Sequence, residues 1–209
     1  MIINQVVSGG GGSGPTGLYR EFQLDANGKL VPNTTTTHII DFTGVTDVSD
    51  YALSYAYSHN TALSGAVNMS DLTTISGGGA CSNMFFGCTG LISVDLSSLT
   101  TVSGASACSG MFTGCTGITS VDLSSLTTVN GSYACSGMFT GCTSLTTVRI
   151  GNTTAINFGT RTNQFGGMFT NCTQNIDVYA PAASQTAIEG LTGYPNFGGT
   201  GTVTWHWRS

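Results

Sequence analysis

Two hundred and nine residues suffice for one or two domains with a continuous core, and hydrophobic residues at 40% supply the material for it. Charged residues make up only 7%, against about 25% in ordinary soluble domains, so the surface must consist mostly of Ser, Thr, Asn and Gly. A net charge of −5 with five scattered Lys and Arg excludes the basic stripe that a nucleic-acid partner requires, and no apolar run approaches the roughly 18 residues of a membrane span.

The chain opens on a short apolar peptide containing Ile2, Ile3, Val6 and Val7, followed by a Gly-rich run from Ser8 to Gly14 that reads as a flexible tether. Residues 1–14 are therefore expected to act as a docking peptide, added as a strand to a partner, with a bare terminus as the alternative. This start lacks the basic residues and long apolar stretch of a secretory signal, so export by that route is not expected unless a signal lies outside the sequence. Residues 15–39 form an expected N-terminal cap, with a hairpin from Phe22 to Val31 around Asn27-Gly28.

Residues 40–180 carry an internal repeat. Cys88, Cys115 and Cys142 are 27 residues apart; so are Cys81, Cys108 and Cys135, and Met84, Met111 and Met138. A three-residue insertion then leads to Met168-Phe169 and Cys172. Within one copy, Cys108, Met111, Phe112 and Cys115 recur at i, i+3, i+4 and i+7, which predicts about two helical turns with one apolar face. Val121 and Leu123 alternate about Asp122, which predicts a short strand with Asp122 outward. Steps of one repeat give about six such strands, from Ile40-Asp41-Phe42 to Val178-Tyr179-Ala180. The expected fold is an α/β solenoid, with a short strand and a short helix per coil and a cap at each end. Residues 181–209 form the C-terminal cap: a short helix from Pro181 to Leu191, then an alternating segment ending Trp205-His206-Trp207.

Seven cysteines admit three readings. Seven residues along a helix separate Cys108 from Cys115 by about 10 Å, too far for a disulfide, and adjacent coils are about as far apart. The C-x6-C spacing with no neighbouring His is not a zinc pattern. A column of buried thiols packed with Met and Phe is the favoured reading, with disulfide or metal as the lesser ones, and it suits a reducing compartment.

Nothing in the three histidines or the glycine runs makes a nucleophile site, a phosphate cradle or a zinc-protease motif, and neither an enzymatic activity nor a cofactor or metal is expected. The best candidate site is geometric. Outward residues of successive strands should stack about 4.8 Å apart, giving the column Asp41, Asn68, Asp95, Asp122, Arg149 and Tyr179, flanked by Ser70, Ser97 and Ser124. Carboxylates, amides and a tyrosine suit a sugar, a protein or a cation; the plainer alternative is a solvated polar face with Arg149 offsetting Asp122. Trp205 and Trp207 should share one side of their strand, either sealing the core or offering an aromatic patch, with His206 on the other side. An enzyme acting on glycans would need a carboxylate pair about 5–9.5 Å apart in a cleft, which only Asp95 and Asp122 approach.

Two resemblances bear on these expectations. Met-Phe-x-Gly-Cys-Thr-x-Leu followed by Val-Asp-Leu-Ser-Ser-Leu resembles the BspA-like class of leucine-rich repeats over roughly residues 40 to 185. That resemblance implies an adhesion or interaction scaffold of bacterial surface proteins, or of phages of host-associated bacteria. The first seven residues, followed by glycines, resemble the start of some phage and prophage structural proteins. Together they imply a non-enzymatic structural or adhesive protein of a phage or prophage particle, assembled in the bacterial cytoplasm. The N-terminal peptide would attach it to other virion proteins, and the repeats would face a host glycan or surface protein. The alternative is a secreted or cell-surface bacterial adhesin, and self-association into a homo-oligomer fits both.

Overall fold

The computed structural model describes Phe42, residues 44–48 and residues 50–209, together with the backbone of three earlier strands. Those strands, β1 (Ile3–Val6), β2 (Tyr19–Leu24) and β3 (Leu30–Pro32), form an antiparallel sheet in the order β1-β2-β3. Ile3 pairs with Phe22 and Val6 with Tyr19, while Phe22 pairs with Pro32 and Leu24 with Leu30.

The rest is a parallel β-solenoid of about five turns on a repeat of about 27 residues. Each coil contributes three walls. The first is a parallel sheet made by β4 (Gly65–Asn68), β6 (Leu91–Asp95), β8 (Ser120–Leu123), β10 (Thr147–Ile150), β11 (Ile176–Pro181) and, beyond β11, β12 (Val203–Arg208). The second is a narrower parallel sheet of β5 (Thr74–Ile75), β7 (Thr101–Val102) and β9 (Thr128–Val129), continued by a bridge from Thr128 to Asn157. Alternation inside each strand sends Val67, Val94, Val121 and Val148 into the core, and Ile75, Val102 and Val129 enter from the second wall.

The third wall corrects the sequence reading. The segment from Cys108 to Cys115 and its counterparts are not helical. Amides alternate between two kinds of partner. Those of Met111, Thr113 and Cys115 donate to the carbonyl three residues back, while those of Cys108, Gly110, Phe112 and Gly114 donate to the next coil, at Ala134, Ser136, Met138 and Thr140. The result is a run of tight turns, stacked coil on coil. Every fourth residue takes a left-handed backbone: Gly79, Asn83 and Gly87, then Ser106, Gly110 and Gly114, then Tyr133, Gly137 and Gly141. A four-residue turn period buries positions i, i+3, i+4 and i+7 as well as a helix does, which is why the apolar spacing misled. Among the described residues, regular helix is confined to a 3-10 turn at Ala182–Ser184 and to α1 (Gln185–Glu189).

Behind the turn wall runs a stack of rings. Tyr57, Phe85, Phe112, Phe139 and Phe169 follow one another at centroid distances of 5.4, 5.6, 5.7 and 6.0 Å, near parallel throughout. The cysteines complete the same layer. All seven are buried, and none is in a disulfide. Four thiols donate to the coil before: Cys88 to the Tyr57 carbonyl, Cys115 to Phe85, Cys142 to Phe112 and Cys172 to Phe139, at 3.0–3.1 Å. Each thiol thus adds a second hydrogen bond to the carbonyl of an aromatic residue in the stack, which also accepts the backbone amide three residues on. Burial pushes the Cys88 thiol up to about 12 and raises those of Cys115 and Cys142 as well, so they stay protonated.

Candidate functional site

The outward column of the first wall is in register. Asn68 pairs with Asp95, Asp95 with Asp122, Asp122 with Arg149, and Arg149 with Tyr179. Tyr179 then pairs with His206 of β12, so the column has a sixth rung that the sequence reading left out. The signal for it was the alternation of residues 202 to 207, had that segment been aligned as one further strand. Asp41, the expected first rung, lies outside the described residues, as do Ile2 and Val7 of the N-terminal peptide. Ile3 and Val6 bound β1, which is paired with β2 of the same chain.

The two ends of the column differ in chemistry. At the early end the acids are occupied by the fold. An Asn68 side-chain oxygen accepts the Ser70 amide at 2.8 Å, Asp95 accepts that of Ser97 at 3.0 Å, and Asp122 accepts that of Ser124 at 2.9 Å. These are side-chain turns that lead the chain out of each strand, a local reason for Asp or Asn at this position. Asp95 and Asp122 are also exposed on an open ladder, where water screens them.

The late end is a set of stacked planar groups. The Arg149 guanidinium carbon lies 5.6 Å from the Tyr179 ring centroid, within reach of the ring's negative face. Tyr179 stacks on His206 at 4.6 Å and 16°. His206 Nε2 is 2.8 Å from an Asp177 carboxylate oxygen, which fixes the ring's orientation. All three stacked side chains are half-buried, so each keeps a face toward solvent.

Trp205 and Trp207 stack on each other at 5.6 Å, away from the column. Both are half-buried and pack against the core, with Trp205 5.9 Å from Phe197. The Trp205 indole N–H donates to the Pro195 carbonyl at 3.0 Å. Comparisons with family models, with curated proteins and with solved structures give no match.

Proposed function

We propose that the chain is a non-enzymatic structural and adhesive component of a phage or prophage particle, and that its repeat body presents a protein- or glycan-binding face. The observation that carries this reading is the unbroken polar column from Asn68 to His206, which ends in the Arg149–Tyr179–His206 stack. A parallel ladder sets these groups about 4.8 Å apart on a stiff frame, so a ligand meets donors, acceptors and ring faces already in place. The first-wall carboxylates hold turn amides on exposed strand ends, an arrangement for shape rather than for proton transfer. The particle assignment rests on the opening peptide and its glycine tether; protonated, buried thiols suit assembly in a reducing compartment.

Two measurements test the reading. Light scattering on the full chain and on a chain lacking residues 1–14 should give a defined oligomer and a monomer, respectively. Equal masses would remove the assembly role of the peptide. In a glycan and host-protein array, Arg149→Ala with Tyr179→Ala should abolish the parent's signal at an unchanged melting temperature. Retained signal would remove the column as the binding face.

A further inference from the structure

The turn wall has three left-handed columns, and most coils fill them as the backbone prefers. One runs Gly87, Gly114, Gly141 and Asn171; another runs Asn83, Gly110, Gly137 and Gly167. Gly and Asn are the residues that adopt this conformation at least cost. The first coil departs from the rule. It places Tyr51, Tyr55 and His59 there, with φ of 53°, 53° and 59°. Tyr133, at 56°, occupies the Tyr51 column three coils on, since Tyr51, Gly79, Ser106 and Tyr133 are linked by the same inter-coil bond. A bulky residue with this backbone is a genuine outlier.

Burial does not repay it. Tyr51 is 70% exposed, Tyr55 52% and Tyr133 48%. Tyr51 nevertheless has a defined seat. A Cβ on Gly79 would come within 2.5 Å of its ring, so the tyrosine lies down over a glycine floor and turns its other face to solvent. His59 is seated likewise over Gly87 and meets Phe86 edge-on at 4.8 Å.

The rest of the wall narrows the ligand. Residues 51–60, 79–88, 106–115, 133–142 and 163–172 contain no Asp, Glu, Lys or Arg. No large aliphatic side chain of these stretches is exposed. Asp50, at the edge beside Tyr51, is held by the Gly78 amide, so a charged partner finds little complement within the wall, and a protein partner would meet separate rings with no exposed aliphatic side chain around them. Exposed tyrosines among Ser, Thr and Asn fit a ligand that is uncharged, rich in hydroxyls and has apolar C–H faces. Three coil steps separate Tyr51 from Tyr133, about 14 Å at strand spacing, which suits an extended ligand. We propose that the turn wall is a second binding face, distinct from the strand column, and that it takes a neutral polysaccharide through Tyr51, Tyr55 and Tyr133.

The test is affinity electrophoresis of the full chain in gels containing a soluble β-glucan, mannan or xylan, with polygalacturonate as an anionic control. At least one neutral gel should retard the parent and polygalacturonate should not. Replacing all three tyrosines with Gly suits the backbone there, so the variant should melt like the parent yet bind about tenfold or more weakly. Replacing them with Phe keeps the ring faces and should keep most of the retardation. No retardation in any neutral gel, or equal retardation of parent and Gly variant, overturns the proposal. Retardation lost only in Arg149→Ala with Tyr179→Ala also overturns it, while leaving the strand column as a binding face.

Discussion

In the strand wall the backbone is extended at every outward position, and any side chain fits there; the column accordingly runs Asn, Asp, Asp, Arg, Tyr, His. In the turn wall every fourth residue is left-handed, and the columns are mostly Gly and Asn. Both walls hydrogen-bond coil to coil and both bury one face in the same core. They differ in what an outward side chain costs. Variation in the strand wall is cheap and says little by itself, whereas a tyrosine in the turn wall runs against the backbone.

Substitutions that break each wall should rank accordingly. Phe112→Ala removes the middle of the ring stack and should cost about 4 kcal/mol in chemical denaturation, as large cavities in well-packed cores do. Gly104→Ala comes next. A Cβ there would fall on the Gly77 carbonyl of the coil before, backbone that cannot rotate away, so a loss of about 3 kcal/mol is expected. Gly114→Ala, at φ 71° with its nearest neighbours 3.6 Å away, should cost only the left-handed strain, about 1 kcal/mol. Equal losses at the two glycines would mean that the coils are not in the close register described.

The cysteine layer offers a smaller, chemical test. Cys115→Ala removes one of the two hydrogen bonds to the Phe85 carbonyl, which keeps the Cys88 amide, and should cost about 1 kcal/mol. The thiols should also resist a disulfide reagent in native protein at pH 8 and react only on unfolding. Because burial lifts Cys88 from 9.0 to about 12, the folded state favours the neutral thiol. Its contribution is fully present below pH 9 and should fade between pH 9 and 12, as thiolates form in the unfolded chain. A denaturation midpoint flat across that range would contradict the burial. Smallest of all, Tyr51→Gly should leave stability within about 1 kcal/mol, since relief of strain offsets the greater freedom of unfolded glycine.

Much of this was legible in the sequence, and the reason is periodicity. The 27-residue step aligned Val67, Val94, Val121 and Val148 as core and Asn68, Asp95, Asp122 and Arg149 as one outward column. The helix was a misreading of a period near four. Gly110 and Gly114, or Gly137 and Gly141, at every fourth place are poor helix formers and were the available sign of turns. The first coil hid that sign twice: tyrosines and a histidine stand where glycines would, and Tyr51 precedes Gly79 by 28 residues rather than 27. His206 and the Arg149–Tyr179 contact depended on how the last strand closes the sheet, which spacing alone does not specify.

The turn wall separates this fold from a solenoid with a helix in each coil, and scalar coupling across hydrogen bonds reads it directly by NMR. The account predicts a coupling from the Phe112 amide nitrogen to the Met138 carbonyl carbon, one coil onward, and from Gly114 to Thr140. Couplings from Phe112 to Cys108 and from Cys115 to Met111, four residues back, would mean a helix and would contradict it.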